Sequence, residues 1–381
     1  MESLKIAYFA WESLYTKKVG GLAPAATYMA EHLAQHYEVH YFTRGDGDFI
    51  KNGVHFHCVS PADADILSHC RQMSEDATRR FLEYDDPPFD LLHFHDWHFY
   101  QTLRTFHDRI CVLTFHSTEY GRNGGSFGEW FEFKEISAIE KASADIARAI
   151  ITVSKVTKVE LMWLYDVPEH KICIIPNGID PDLYRIEVHA RDVKKRYGIH
   201  HLAPLVLFVG RLSWQKGPDI LMDAVPHVLA RREDVQFILA GTGEMLEMLR
   251  ERARNLPVQC IGYVSDREHL ELLNAADLIC IPSRNEPFGL VLTEAWSAEK
   301  GVVASDVGGL SMNIENLIDG IKVPPVAEPL AWGISYSLNN PEFLRSMGIA
   351  GRRKVEEQFN WEGIAEKMHH AYIRVLRPPL C

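Results

Sequence analysis

"PLVLFVGRLSWQKGPDIL", residues 204–221, decides how the chain is organised. Its continuous apolar run, 204–210, reads as a strand buried on both faces of a parallel sheet. The run breaks at a turn carrying Arg211 and Lys216, and Gly217-Pro218 then opens a helix. The start of the chain has the same order of events, with KIAYFAW (5–11) leading into KKVGGLAPAA (17–26). An α/β pattern begins at the N-terminus and restarts at 204.

In the first half, strand candidates lie at 5–11, 38–44, 54–60, 90–95, 110–116, 149–154 and 172–178. Amphipathic stretches such as 22–37 and 129–149 separate them. After the restart come 204–210, 235–241, 258–264, 277–283 and 301–307, again with helices between. The polar, turn-rich segment 176–204 places a boundary near 180–203. At 381 residues the chain is too long for one small core. The expected fold is α/β: two Rossmann-like, doubly wound domains facing each other across a cleft, with ligands beyond the carboxyl ends of the strands.

Composition narrows the class. Hydrophobic content of 46% and charged content of 24% are ordinary for a soluble globular protein. A net charge of −12 opposes wrapping a nucleic-acid backbone, so no nucleic-acid partner is expected. No apolar run is long enough to span a bilayer, and "MESLKIAYFAWES" begins with a strand-like run rather than a basic signal segment. The seven cysteines (58, 70, 111, 173, 260, 280, 381) are scattered and form no CxxC pair. Reduced thiols and a cytoplasmic location follow as expectations, and neither a zinc ribbon nor a disulfide frame does.

Chemistry concentrates at the ends of the strand candidates. After the first strand, the glycine turn at 17–26 lets backbone approach a phosphate, exposes N–H groups and adds the charge of Lys18. The same turn is also compatible with simple chain reversal. Arg211 and Lys216, beside a helix start, suit a diphosphate whose negative charge grows as it departs.

"RNEPFGLVLTEAW" (284–296) sets Glu286 in a loop, a Pro-Phe-Gly turn after it, and Glu294 in a helix beginning near Leu290. Helical rise makes the two acids bracket a span on the order of 10 Å, with first-turn N–H groups between them. A sugar joined through a diphosphate to a nucleoside presents hydroxyls, charge and hydroxyls in that order. His116 and Asp96 each follow a strand and are placed to hydrogen-bond sugar hydroxyls; satisfied buried polar groups are the alternative. His93 and His95 alternate on a strand, but no third ligand stands at a persuasive spacing, so no metal site is assigned. The stretch 358–376 reads as an amphipathic helix in which Phe359 and Trp361 look like packing anchors.

Taken together, KVGGL, HDWH, TFHSTE, PNGID, GRLSWQKG and the E-x7-E of NEPFGLVLTE, in that order, resemble a retaining GT-B glycosyltransferase of the glycogen and starch synthase group. The resemblance covers essentially the whole chain. It implies an N-terminal acceptor-side domain at 1–185, a nucleotide-sugar-binding domain at 186–359, and a last helix, 360–381, that rejoins the first domain. It implies donor contacts from Lys18, Gly21, Phe288, Gly289, Leu290 and Glu294, with Glu294 on the ribose. His116 would meet the transferred sugar, Arg211 and Lys216 the leaving diphosphate, Glu286 the sugar hydroxyls, and Asp96 the acceptor side.

No metal or other cofactor is expected. The implied partners are a nucleoside-diphosphate glucose and an α-glucan or a small sugar acceptor. Three features depart from the group: the second glutamate of E-x7-E is present where bacterial synthases carrying KxGGL usually lack it, Met312 stands where many relatives carry Gly-Gly-x-x-Glu, and the loop at 320–325 is shortened to GIKVPP. The expected reaction is transfer from ADP-glucose or UDP-glucose to the 4-hydroxyl of an α-1,4-glucan. The alternative is a same-fold transferase making a trehalose, maltose 1-phosphate or sucrose-type product. A glucan-binding protein without activity would have no need of a leaving-group clamp.

Overall fold

In the computed structural model residues 4–377 are described, and they form two compact units. One holds the chain up to Tyr120, Phe127–Gly178 and the stretch from Trp361; the other holds Gly121–Ser126 and Ile179–Asn360. Cys381 lies outside the described residues, as does the end of the expected 360–381 helix.

The first unit is built on an eight-stranded sheet. Its strands are β1 (Lys5–Phe9), β2 (Glu38–Arg44), β3 (Asp48–Lys51), β4 (Val54–Val59), β5 (Leu91–His95), β6 (Cys111–Phe115), β7 (Ala149–Thr152) and β8 (Ile172–Ile174). They lie in the order β3-β4-β2-β1-β5-β6-β7-β8, all parallel except that β3 runs antiparallel to β4. β1, β5, β6 and β7 are buried along their whole length, which is why they read as mostly apolar runs.

β3 is not among the strands expected from sequence. It is largely exposed and has no hydrophobic period, and it is held by a hairpin. The turn of that hairpin is Asn52-Gly53, with both residues left-handed at φ 48° and 81°. That Asn-Gly pair was the available signal.

The second unit carries β9 (Leu205–Val209), β10 (Gln236–Ala240), β11 (Val258–Gly262), β12 (Leu278–Ile281), β13 (Val302–Ser305) and β14 (Ile321–Val323). Their order is β11-β10-β9-β12-β13-β14, all parallel. β14 falls within the shortened GIKVPP segment and pairs with β13; three residues are too few to show as an apolar run. Part of the polar segment 176–204 is also ordered, as the helix Ala190–Arg196. There Lys194 is buried and donates to Asp277 Oδ2 at 2.7 Å and to the Ala203 carbonyl at 2.8 Å, so its charge is paired.

Each sheet has one place where the winding reverses. In the first unit it lies between β1 and β5, and in the second between β9 and β12. In doubly wound sheets this is where a crevice opens beyond the strand ends and ligands bind. The loops leaving β1, β5, β9 and β12 carry most of the residues singled out above.

The helix Trp361–Leu376 sets Ile364, Met368, Tyr372 and Val375 against Ile6, Tyr8, Val39 and Ile151 of the first sheet. Trp361 is buried here, and Phe359 is buried in the second unit, edge-on to the Phe288 ring at 5.5 Å. Because Ile364 is fully buried, Ile364→Ala is expected to cost the first unit ~2–5 kcal/mol through a cavity. Exposed Glu366→Ala should stay within about 0.5 kcal/mol. Urea unfolding of the two variants checks both; equal midpoints would show that the helix is not a core element.

Candidate active site

In the second unit the loop leaving β9 lies directly on the loop leaving β12. Gly217 shows how closely: its φ is +64°, and a Cβ there would fall 2.2 Å from the Pro282 carbonyl oxygen. This approach lets Lys216 Nζ donate to Glu286 Oε2 at 2.7 Å, between residues 70 positions apart. Ser283 Oγ donates to the same oxygen at 3.3 Å. Glu286 is also held by its backbone: its carbonyl accepts from Gly309 N at 2.6 Å, and a Cβ at Gly308 would sit 2.1 Å from that oxygen.

Arg211 is exposed, and its Nη2 donates to Gln215 Oε1 at 2.8 Å. Its loop is stiffened by Arg284, a residue that sequence reasoning passed over. The Arg284 guanidinium stacks on Trp214, 3.3 Å from the ring centroid, and donates to both oxygens of Asp219 at 2.8 and 2.6 Å. A planar guanidinium gripping a carboxylate at two points fixes direction as well as distance.

The helix Leu290–Ser297 begins after Gly289, which is left-handed at φ 100°. Its first N–H groups have no acceptor within the helix, and its dipole favours an anion there. Phe288 is buried, its ring packs on Phe359, and its carbonyl accepts from Asn313 Nδ2 at 2.9 Å. The Phe288 side chain is therefore a packing group. Leu290 and Glu294 are half-buried. Glu294 Oε2 lies 3.5 Å from His269 Nε2, a partner contributed by the helix Asp266–Ala275 that its own stretch of sequence does not reveal.

In the first unit Lys18 and Gly21 are exposed in the loop between β1 and the helix Leu22–Leu33. The amides expected to face outward are partly taken. Val19 N and Gly20 N donate to Glu12 Oε2 at 2.5 and 2.9 Å. Burial raises the Glu12 pKa, while these two N–H groups and Arg44 pull it down. Glu12 was not singled out, although an acid immediately after the first strand was there to be noticed.

Asp96, left-handed at φ 53° and buried, follows β5, and its Oδ1 accepts from the His116 backbone N–H at 2.8 Å. His116 follows β6 and is half-buried, with Nε2 2.9 Å from His95 Nδ1. His93 is fully buried, with Nδ1 at 2.5 Å from the Tyr372 hydroxyl and Nε2 at 2.7 Å from Thr114 Oγ1. Among the described residues no group of three or more His, Cys, Asp and Glu is arranged to hold a metal ion. The strand ends thus bring together Lys216 with Glu286 in one unit and Asp96 with His116 in the other.

Two family models match the chain. One, described as Glycosyltransferase Family 4, covers residues 19–183; the other, Glycosyl transferases group 1, covers 190–354. An uncharacterised glycosyltransferase of Methanocaldococcus jannaschii is 33% identical over 387 residues, 97% of this chain and 98% of that protein. The chain belongs to the GT-B glycosyltransferases.

A glycogen synthase of Mycobacterium tuberculosis is 29% identical over 296 residues, 76% of this chain and 69% of the relative. In structure, the sucrose-phosphate synthase of Thermosynechococcus elongatus superposes with a TM-score of 0.82 over 98% of this chain and 99% of its own, at 24% identity. The GT-B fold expected from the sequence is therefore the observed one.

Fully buried His93 and half-buried His116 make the stability of this glycosyltransferase depend on pH. Burial lowers the pKa of His93 to about 3 and of His116 to about 4. Between the unfolded value near 6.5 and these folded values, the unfolded chain binds more protons, so stability falls as pH falls. Each group contributes a slope of up to about 1.4 kcal/mol per pH unit in that window and none above it. Urea midpoints measured at pH 7.5, 6 and 5 should decline in that order; a constant midpoint would contradict the burial of these rings as neutral groups.

Proposed function

We propose that the enzyme transfers glucose from ADP-glucose or UDP-glucose to the 4-hydroxyl of an α-1,4-glucan, with retention at the anomeric carbon. The observation that carries this reading is the meeting of Lys216 and Glu286 at the winding reversal of the second sheet, with Arg211 on the same loop. Two cations there suit a departing diphosphate, and an adjacent acid suits the hydroxyls of a sugar. The glycogen synthase relative supports the glucan acceptor.

The C1–oxygen bond to the diphosphate breaks with its electron pair leaving on phosphate oxygen, and Arg211 and Lys216 neutralise that charge. The acceptor oxygen forms the new bond on the face just vacated, and its proton passes to the departing phosphate. No side chain is assigned as a covalent nucleophile. Lys18, Gly21, Phe288, Gly289, Leu290 and Glu294 are assigned to the donor, with Phe288 acting through its backbone. His116 is assigned to the transferred sugar. Asp96 shapes the acceptor side through the loop it ties to His116.

A screen of sugar nucleotides against glycogen and maltooligosaccharides, following nucleoside diphosphate release, tests the assignment. Release with no donor in the presence of either glucan would overturn it. The cations take the role a metal has in other transferases, so chelation with EDTA should leave turnover unchanged; loss of turnover, restored by a divalent ion, would refute that part. A cytoplasmic location is part of the same proposal. Six of the cysteines are free thiols, and no helix among the described residues is long and apolar enough to cross a membrane.

A second reading has one observation in its favour. The structure superposes over nearly its whole length on a sucrose-phosphate synthase, an enzyme named for a small product. Product analysis with glucose, glucose 1-phosphate and fructose 6-phosphate as acceptors separates this reading from the glucan reading.

A further inference from the structure

His93 and His95 entered as a doubtful metal pair, and the structure gives them different work. His93 uses both ring nitrogens, on Tyr372 and Thr114. His95 uses one. Its Nδ1 lies 2.9 Å from His116 Nε2, while its Nε2 is buried and has no hydrogen-bond partner among the described residues. The rings of Tyr8 and His93 pack on it, each with its centroid 4.4 Å away. One proton sits between His95 and His116, and it has two possible owners.

If His116 donates from Nε2, His95 must carry its own proton on Nε2, leaving a buried N–H without an acceptor. If His95 donates from Nδ1, its Nε2 holds only a lone pair. Orphaned buried N–H groups are rarer than under-satisfied acceptors. The second arrangement therefore holds. In it His116 accepts at Nε2 and carries its proton on Nδ1, the nitrogen that makes no hydrogen bond to any described residue.

We propose that His95 is a positioning residue that holds His116 as the neutral Nδ1–H tautomer, so that His116 meets its ligand as a hydrogen-bond donor. The group it recognises is then an oxygen offering a lone pair, such as a sugar hydroxyl or ring oxygen. The backbone is fixed from the same side, since Asp96, the next residue after His95, takes the His116 N–H. β5 and β6 are neighbours in register, with His95 opposite Thr114, which places the two rings side by side at their strand ends. The titratable groups around the pair are Tyr8 and His93 against His95, and Asp96 at the His116 backbone. This inference rests on the proposed transfer only in giving His116 a sugar as its ligand.

The test uses the full-length protein labelled with 15N-histidine, with the His116 signals identified by their loss in His116→Gln. Long-range 15N–1H spectra of the unliganded wild type at pH 7.5 should show His116 protonated on Nδ1. Protonation on Nε2 overturns the proposal whatever the enzyme transfers. His95→Phe removes the donor, and His116 should then move toward the Nε2–H form. In that variant kcat should fall on the order of tenfold, the worth of one hydrogen bond, with the donor KM within about twofold.

His95→Asn, whose amide can donate to Nε2, should restore both the Nδ1–H tautomer and kcat. It also serves if His95→Phe does not fold. An unchanged His116 tautomer in His95→Phe, or a kcat that His95→Asn does not restore, overturns the positioning role. Failure of every sugar nucleotide to react would overturn the proposed function and leave the spectroscopic result standing.

Discussion

Replacing Lys216 with alanine is expected to lower kcat by ~10²–10³-fold while the donor KM changes little, because its charge matters most when the diphosphate leaves. In the unliganded protein Lys216 is bound to Glu286 at 2.7 Å, so a donor must share or displace that pair. The side chains are 22% and 11% exposed, so water screens the pair only partly. Lys216→Arg should recover a fraction of the rate, since the charge returns but a planar fork replaces a point charge. Rapid-quench measurement of nucleoside diphosphate release, with a melting curve to verify folding, decides the matter. Folded Lys216→Ala with near-normal turnover would remove the leaving-group role.

Glu286→Gln should also cost about 10²–10³-fold in transfer, and it makes a prediction of opposite sign in binding. Glutamine preserves the shape of the side chain and its contact with Ser283 but removes the charge that occupies Lys216. Freed of that partner, Lys216 should bind the free nucleoside diphosphate more tightly, by about three- to tenfold for a partly exposed pair. Calorimetric titration with ADP and UDP measures this directly. Weaker transfer together with tighter diphosphate binding is the signature of an acid that both holds the sugar and competes for the cation. Unchanged transfer would dismiss the reading of the NEPFGLVLTE motif; unchanged diphosphate affinity would show that the Lys216–Glu286 pair is incidental.

Much of the architecture was legible because it depends on local chemistry. Strands buried on both faces are mostly apolar, and β1, β5, β6, β9, β12 and β13 stood out for that reason. β3 and β14 did not. One is an exposed edge whose pairing comes from an Asn-Gly turn, and the other is three residues long. Residues at strand ends were legible as candidates because a polar group directly after a buried run must lie at the sheet's rim. Their partners were not. Glu12 on the amides of Val19 and Gly20, His269 near Glu294 and Arg284 on Asp219 are contacts between elements that no local pattern announces.

By itself the sequence determined the kind of protein: the order of strands and helices, the restart at 204, and which charged and polar residues stand at the rims. Periodicity and turn chemistry act over a few residues, and that is enough to set them. Only the tertiary structure decided who meets whom. Lys216 reaches Glu286 because β9 and β12 are neighbours, and His95 reaches His116 because β5 and β6 are. Strand adjacency arises when whole sheets assemble, through hydrogen bonds that are the same for every residue type. Nothing in the identity of the side chains along one strand names the strand that will lie beside it.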